Sequence, residues 1–319
     1  MLRASQAVRL GLRAASRNPE LSFGKALVDQ GGNLLAFLPL ALGVVLVVSV
    51  VRGEVLGAAI AALRTILALR WPVLGGIATA LVIAFAASML FWAGAVPLLA
   101  ADAELGRRPP PGNFVVLLSR GAARTIVAGA VGWGVALFFM LACQAAAVVG
   151  IPAALLRPSL PMFAAFALLA SVAVVGIFLL DALARLTIVR AAAFGDSGTA
   201  AFGKAASLLG VRLGAAMVIT IVFLGLELVV GSAAAAVTGV LSGTALFNPA
   251  AELLALAPRA AIGLAAAAVF GWLEVARMGA FAALAADAEG LIEPEAPPEP
   301  PPVAELVVDA LPVDDQQGA

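Results

Sequence analysis

Apolar residues run in six long stretches along the chain, and polar residues are concentrated in the segments between them. A bilayer core about 30 Å thick is crossed by roughly 20 apolar residues in a helix. Each stretch approaches or exceeds that length and is nearly free of charge, which predicts an all-α fold with six transmembrane helices. The predicted spans are residues 34–51, 71–101, 125–156, 158–180, 213–237 and 260–286.

Two further segments have the pattern of helices that lie on the membrane surface. Residues 52–70 are apolar with arginines at intervals, which predicts an amphipathic helix on the outer face. The alternative is a seventh span, but Arg64 would then lie inside it. The first 30 residues place Arg9, Arg13 and Arg17 at helical spacing, which predicts a short cationic helix at the membrane surface.

The composition agrees with a lipid environment. Apolar residues make up 63% of the 319 positions, charged residues only 12%, and the mean hydropathy is +1.09. Soluble domains have about 45–50% apolar and 25% charged residues. A water-exposed surface of ordinary size cannot be built from so few charges, so the bilayer is the expected partner of most of the surface.

The basic residues near the span ends predict the orientation. Twelve of them lie in segments on one side and five on the other. Because Lys and Arg are enriched in cytoplasmic segments, both termini are predicted to be cytoplasmic, in a bacterial inner membrane. The twelve are Arg3, Arg9, Arg13, Arg17, Lys25, Arg107, Arg108, Arg120, Arg124, Arg190, Lys204 and Arg212; the five are Arg52, Arg64, Arg70, Arg157 and Arg259.

The C-terminal tail, residues 291–319, differs in composition from the membrane domain of residues 1–290. It carries seven acidic residues, no basic ones, and many prolines. This composition predicts a disordered cytoplasmic tail. Within it the segment from Val303 to Val313, VAELVVDALPV, is a short apolar island. It is either without a role or a docking peptide for a partner protein.

Similar segments recur along the chain. SFGKALVDQGGNLLA, NFVVLLSRGAARTIV and AFGKAASLLGVRLGA align on Phe23, Phe114 and Phe202, and AADAE occurs near both residue 102 and residue 287. We predict three repeats, at about residues 20–106, 110–197 and 198–290, related by a pseudo-threefold axis along the membrane normal. Each begins with an interfacial helix that holds Lys25, Arg120 or Lys204 on its water-facing side, followed by two spans.

The basic N-terminus, the F-x-K-A surface helices and the passage RAAAFGDSGTAAFGKAASLL (residues 190–209) resemble a family of bacterial six-span proteins. This is the family similar to the membrane domain of glycerophosphodiester phosphodiesterases, and the resemblance covers about residues 9–290. It implies the six-span architecture. It implies no catalytic residue, because the soluble catalytic domain of the proteins that give the family its name has no counterpart here.

The sequence lacks the residues that several kinds of catalytic or metal site require. The chain has no His and no Tyr, and Cys143 is its only cysteine, so a His-ligated metal site, an intramolecular disulfide or a cysteine zinc site cannot form. No phosphate-binding loop or serine-hydrolase motif occurs. Because the basic residues are spread between spans rather than clustered, nucleic acid is not an expected partner. No cofactor and no enzymatic activity are expected.

Five ionisable residues fall at membrane depth and are the candidate site: Glu227, Glu274, Arg277, Asp181 and Arg185. Each such charge costs about 2.5–3.5 kcal/mol at a span centre, so these residues should face the bundle interior and pair. We predict that Arg277 neutralises Glu274 and reaches Glu227, while Asp181 and Arg185 meet at i,i+4 spacing. The cluster is either a structural clamp or a polar cavity that binds a cation, a proton or a head group.

These patterns support two functions of different class. The first is a non-enzymatic accessory protein, scaffold or assembly factor that binds partners through its lipid-embedded faces and its tail. The alternative is a transporter or lipid-handling protein that uses the buried Glu/Arg cluster. A cavity reaching Glu227 would favour the alternative.

Overall fold

A computed structural model describes residues 2–50, 55–106, 110–156, 159–243 and 249–292. The tail from residue 293, including the predicted docking segment 303–313, lies outside the described residues. The described chain contains no β-strand, and one 3-10 turn, Pro111–Asn113, precedes α4. Its helices are α1 (Ala4–Arg17), α2 (Pro19–Val50), α3 (Val55–Leu105), α4 (Phe114–Leu156), α5 (Leu160–Ala193), α6 (Gly198–Val211), α7 (Leu213–Gly243) and α8 (Pro249–Ala288).

Six of these helices, α2, α3, α4, α5, α7 and α8, are long and apolar enough to cross a membrane. This confirms the predicted all-α, multi-pass membrane fold. Residues 55–70 do not form a separate surface helix, because they continue into the second span as the 51-residue α3. At about 1.5 Å per residue α3 is roughly 77 Å long. Pro72 is the expected break, but helices in lipid tolerate proline.

The long helices form three antiparallel hairpins, α2–α3, α4–α5 and α7–α8. Small residues let their helices approach closely: Gly32 lies against Ala84, and Gly76 against Pro39. In the other hairpins, glycines lie against aromatic rings: Gly176 contacts Phe139, and Gly231 contacts Phe270. Each hairpin falls within the bounds of one predicted repeat; the repeats and the threefold symmetry between them stay predictions.

One end of the bundle, which we call the packed end, holds nearly all of the buried side chains. The last turns of α5 and α8 contribute most of them, including Leu186, Ile188, Met278, Phe281 and Leu284, all at most 1% exposed. The end of α3 and the start of α7 complete this core with residues such as Leu99, Ile219 and Phe223. All three hairpins therefore share one core at the packed end.

The opposite end, which we call the open end, has no shared core. It comprises residues 27–50, 55–88, 137–156, 160–180, 224–243 and 249–270. Among its described side chains only Ala80, Ala255 and Ala267 are buried. In α5, partial burial is limited to a stripe at helical spacing that includes Met162, Phe166 and Leu169, and Phe166 packs on α4. The close glycine contacts at this end join helices of the same hairpin, as Gly150 and Phe166 do; between hairpins, Phe85 of α3 reaches Gly129 of α4 at the border with the shared core.

The interfacial helices differ from the prediction in two of the three repeats. The segments that begin near Phe23 and Phe114 are continuous with their spans, as the starts of α2 and α4. Only α6 is separate, and the chain leaves helical geometry at Arg212, with φ −116° and ψ 27°. The Arg212 side chain donates to Asp287 at 2.7 Å, which ties this break to the end of α8.

Helix α1 packs on protein rather than lying only on the membrane surface. Ala7, Gly11 and Ala14 are buried, and Gly11 faces the backbone of α8 so closely that a Cβ would overlap the carbonyl oxygen of Ala276. Gly279 of α8 faces Gly11 in return. The predicted cationic face is present on the other side, where Arg9, Arg13 and Arg17 are exposed. Small residues thus fix α1 to the packed end.

Candidate functional site

The five predicted residues lie together at the centre of the bundle. Asp181 and Arg185 come from α5, Glu227 from α7, and Glu274 and Arg277 from α8. Asp181 is 12 residues before the end of α5, which corresponds to a depth of about 18 Å. The residues occupy the level at which the shared core stops and the open end begins. We call them the ion network.

Arg185 is the centre of this network. Its Nε donates to both oxygens of Asp181, at 3.1 and 3.2 Å. Its two terminal nitrogens bind the Glu274 carboxylate in a bidentate pair, at 2.6 and 3.1 Å. The guanidinium also lies 5.9 Å from the ring centroid of Trp133 on α4. Planar, bidentate recognition of this kind is specific to arginine, so Arg185 ties α4 and α5 to α8.

Arg277 binds one predicted partner and one that was not predicted. It donates through Nη2 to Asp181, and its Nη1 lies 3.6 Å from Glu227 Oε1. The predicted approach of Arg277 to Glu227 is therefore confirmed, but the predicted pairing of Arg277 with Glu274 is wrong. Glu274 binds Arg185 because α5 passes beside α8. Arg185 forms two parallel hydrogen bonds with Glu274 across the helices. Arg277, three residues after Glu274 on the same helix, forms none with it.

Two atoms of the network have no hydrogen-bond partner among the described residues: Glu227 Oε1 and Arg277 Nε, both buried. The ion pair between these side chains, at 3.6 Å, is too long to count as a hydrogen bond. A buried polar atom without a partner is costly, so Glu227 is the weakly held member of the network.

The formal charges of the network do not cancel. With all five groups ionised, three carboxylates face two guanidinium groups, which leaves one carboxylate charge in excess. The side chains of Arg185 and Arg277 are 8% and 1% exposed, whereas those of Asp181, Glu227 and Glu274 are 13%, 22% and 25% exposed. The accessible side of the network is therefore acidic, and its cations lie beneath.

Lys25 is a further buried charge, and it is not among the predicted site residues. The prediction placed it on the water-facing side, but its side chain is only 5% exposed. It binds Asp29 one turn later on α2, and its ammonium lies 5.5 Å from the ring centroid of Trp92. Ser22 and Ala26, next to Lys25 on α2, lie against Gly271 of α8, which brings the first hairpin close to the network. Asp29, four residues after Lys25, was the sequence signal that this lysine forms an ion pair.

A second group of ion pairs fastens the helix ends at the packed end. Asp196 binds Arg190 at 3.0 Å and Lys204 at 2.5 Å, and Arg190 also binds Glu289. Both AADAE segments take part: Asp102 pairs with Arg17 at 3.4 Å and Asp287 with Arg212 at 2.7 Å. Arg190 and Glu289 join the ends of the second and third hairpins, and the other pairs tie α1, α6 and the start of α7 to the ends of α3, α5 and α8.

Within the described ranges, no group of three or more His, Cys, Asp or Glu residues could hold a metal ion. The network can join hairpins through its arginines and can present a carboxylate to a cation. None of the protein-family models, curated proteins and solved structures compared with the chain matches it. The resemblance to the phosphodiesterase membrane-domain-like family therefore stays a prediction.

Proposed function

We propose that this chain is a lipid-handling protein of the bacterial inner membrane, which binds an amphiphile between its hairpins with the head group at the ion network. The observation that carries the proposal is the position of the network. A polar group with one more carboxylate than guanidinium groups lies where the shared core ends and the exposed, apolar parts of the three hairpins begin.

The chemistry of the open end supports an amphiphile rather than a water-soluble ligand. Its exposed side chains are large and apolar, for example Phe138 at 76%, Leu168 at 67% and Val240 at 71% exposure. Water between such surfaces is unfavourable, so acyl chains occupy the spaces between the hairpins. An amphiphile can enter from the bilayer between two hairpins, and its head group then reaches the network while its tail remains among apolar side chains.

Native mass spectrometry of the full chain tests this proposal. The expected result is one or a few lipid molecules retained per chain after detergent washing that strips the annular lipid from a control helical-bundle membrane protein. Readdition of the retained lipid to a stripped sample is expected to raise the thermal midpoint. A chain that retains no lipid, and whose thermal midpoint no lipid changes, would contradict the proposal.

A second candidate is the accessory or scaffold role. It is favoured by an apolar groove of about 530 Å³ on the open end, between α2 and α3, whose lining includes Leu35, Leu38 and Val73. A partner helix that fills this groove would be displaced by Leu38→Trp, because Leu38 lines the groove and is half-exposed. Loss of a co-purifying membrane protein in that variant, with lipid retention unchanged, would support the scaffold and not the lipid site.

A further inference from the structure

We infer that the ion network selects an amphiphile with a cationic nitrogen in its head group, and that the Glu227 carboxylate is the group that binds it. The inference rests on the proposed function and adds the ligand class. Its basis is the geometry of five side chains: which of them are accessible, which are already satisfied and which charge is left over.

The accessible side of the network selects the sign of the ligand charge. Both guanidinium groups are less exposed than the carboxylates, and Asp181 and Glu274 precede Arg185 and Arg277 on helices that end at the packed end, so these carboxylates lie nearer the open end. A phosphate or carboxylate approaching from the open end would meet three carboxylates before it reached an arginine. An ammonium would meet the opposite charge first, and binding it would bring the network to neutrality.

The hydrogen bonds select Glu227 within the network. Glu274 is engaged by both terminal nitrogens of Arg185, and Asp181 accepts from Arg185 and Arg277. Glu227 has only a 3.6 Å ion pair, and its Oε1 has no hydrogen-bond partner. Because the buried Oε1 is the oxygen that faces Arg277 and the side chain is 22% exposed, Oε2 is the oxygen open to a head-group N–H donor. Ammonium is a compact donor with several N–H groups and no acceptor, so it fits a site whose more exposed groups are carboxylate acceptors.

The depth of the site requires an apolar tail on the ligand. Glu227 lies 15 residues beyond Arg212, which is about 22 Å along α7. All described neighbours of Glu227 toward the open end of α7 are apolar, small or Thr. A small hydrated cation would lose its water on this path without replacement, whereas an acyl chain matches it. Zwitterionic aminophospholipids and long-chain amines share the required chemistry.

The experiment measures binding of four probes with matched acyl chains to the delipidated full chain in detergent. The probes are a phosphatidylethanolamine, a long-chain primary amine, a phosphatidylglycerol and a diacylglycerol. We expect the first two to bind more tightly than the last two. Glu227→Gln is expected to weaken the two nitrogen-bearing probes by about 10–100-fold, the loss of one charge-assisted hydrogen bond, and to leave the other two unchanged. Binding of the amine without the phospholipid, or of both, distinguishes the two sources and supports the inference.

Glu289→Gln is the matched control, because it removes the same charge from a half-exposed carboxylate at the packed end. It should leave all four affinities unchanged. The thermal midpoint of ligand-free Glu227→Gln should equal that of the wild-type chain, which separates lost binding from lost folding.

The outcomes separate the two proposals. If all four probes bind alike and Glu227→Gln changes none of them, the ligand class is wrong and the lipid-handling proposal stands. If no probe binds, both are wrong. Stabilisation by Na⁺ alone, abolished by Glu227→Gln, would reassign the network to an inorganic cation and overturn the inference.

Discussion

Arginine and glutamate contribute unequally to the ion network. Arg185 and Arg277 each contact two carboxylates, and both are buried. Removing either guanidinium leaves uncompensated carboxylates at membrane depth, whereas removing Glu227 eliminates the surplus charge. Truncating one partner of a buried ion pair costs about 3–5 kcal/mol. Stability and ligand binding can therefore be assigned to different residues of one cluster.

Arg277→Ala is expected to lower the free energy of unfolding by about 3–5 kcal/mol, because Asp181 and Glu227 lose their shared cation. The measurement is thermal or denaturant-induced unfolding in detergent. Arg9→Ala is the control: Arg9 is exposed, and changes at such positions are within about 0.5 kcal/mol. Adding Asp181→Asn to Arg277→Ala restores the original net charge and should recover part of the loss. A double variant as unstable as the single one would contradict this account.

Glycines determine how closely helices approach each other where no ion pair joins them. The contact of α1 with α8 depends on Gly11 and Gly279, which face each other without intervening side chains. Other glycines, such as Gly203 in α6, face open space. Glycine is thus required at some positions and replaceable at others. Substitution by alanine should lower the stability of the fold at a tightly packed glycine and raise it at an open one.

Gly11→Ala is expected to destabilise the chain by about 1–3 kcal/mol, because the added methyl group overlaps the backbone of α8. Gly203→Ala is the matched change without an overlap, and it should stabilise by about 0.5–1 kcal/mol through helix propensity. Unfolding of the two variants in one detergent measures both. If Gly11→Ala were as stable as Gly203→Ala, α1 would not be fixed on α8.

The sequence predicts elements better than it predicts contacts. Lipid imposes long, charge-free stretches, so all six spans are evident from hydropathy alone. The helix junctions are harder to predict, because residues 55–70 and the starts of α2 and α4 lack a breaker strong enough to end a helix in lipid. The pairing within the network depends on which helices are neighbours. Local i,i+4 spacing correctly gave Asp181–Arg185, but the Arg185–Glu274 pair depends on tertiary packing.

The molecule as a whole has two ends of different character. The packed end combines α1, the shared core and the ion pairs between hairpin ends, and the open end consists of separate hairpins. We expect the packed end to face the cytoplasm, because it bears most of the basic residues that the structure describes.

We expect reporter fusions at Met1 and Ala319 to be cytoplasmic, because the segments predicted to be cytoplasmic carry twelve basic residues against five in the segments predicted to be outside. An alkaline phosphatase fusion, active only outside, and a fluorescent protein that matures only inside give opposite readouts at each position. External readouts at both positions would reverse the orientation.

Spin labels test the separation of the hairpins. Cys143 is the only cysteine, so Cys143→Ala gives a background for labelled pairs. Leu168→Cys on α5 and Val240→Cys on α7 each lie 13 residues from the network, in different hairpins. We expect a broad distance distribution for this pair without lipid, which narrows when lipid is added. The pair Leu168→Cys with Val148→Cys, within one hairpin, should be narrow in both conditions. Narrow distances for both pairs without lipid would mean that the hairpins pack together.

The separation of the hairpins also has a mechanical consequence. A bundle whose helices share a core at one end and separate at the other occupies more area in one leaflet than in the other. Its conformational free energy must then depend on the lateral tension of the bilayer, because spreading the hairpins does work against the leaflet around them. Stretching that leaflet favours wider separation and easier entry of an amphiphile, whereas compressing it favours closure. Lipid retention should therefore change with the curvature of the vesicle that holds the protein, even when the lipid composition is constant.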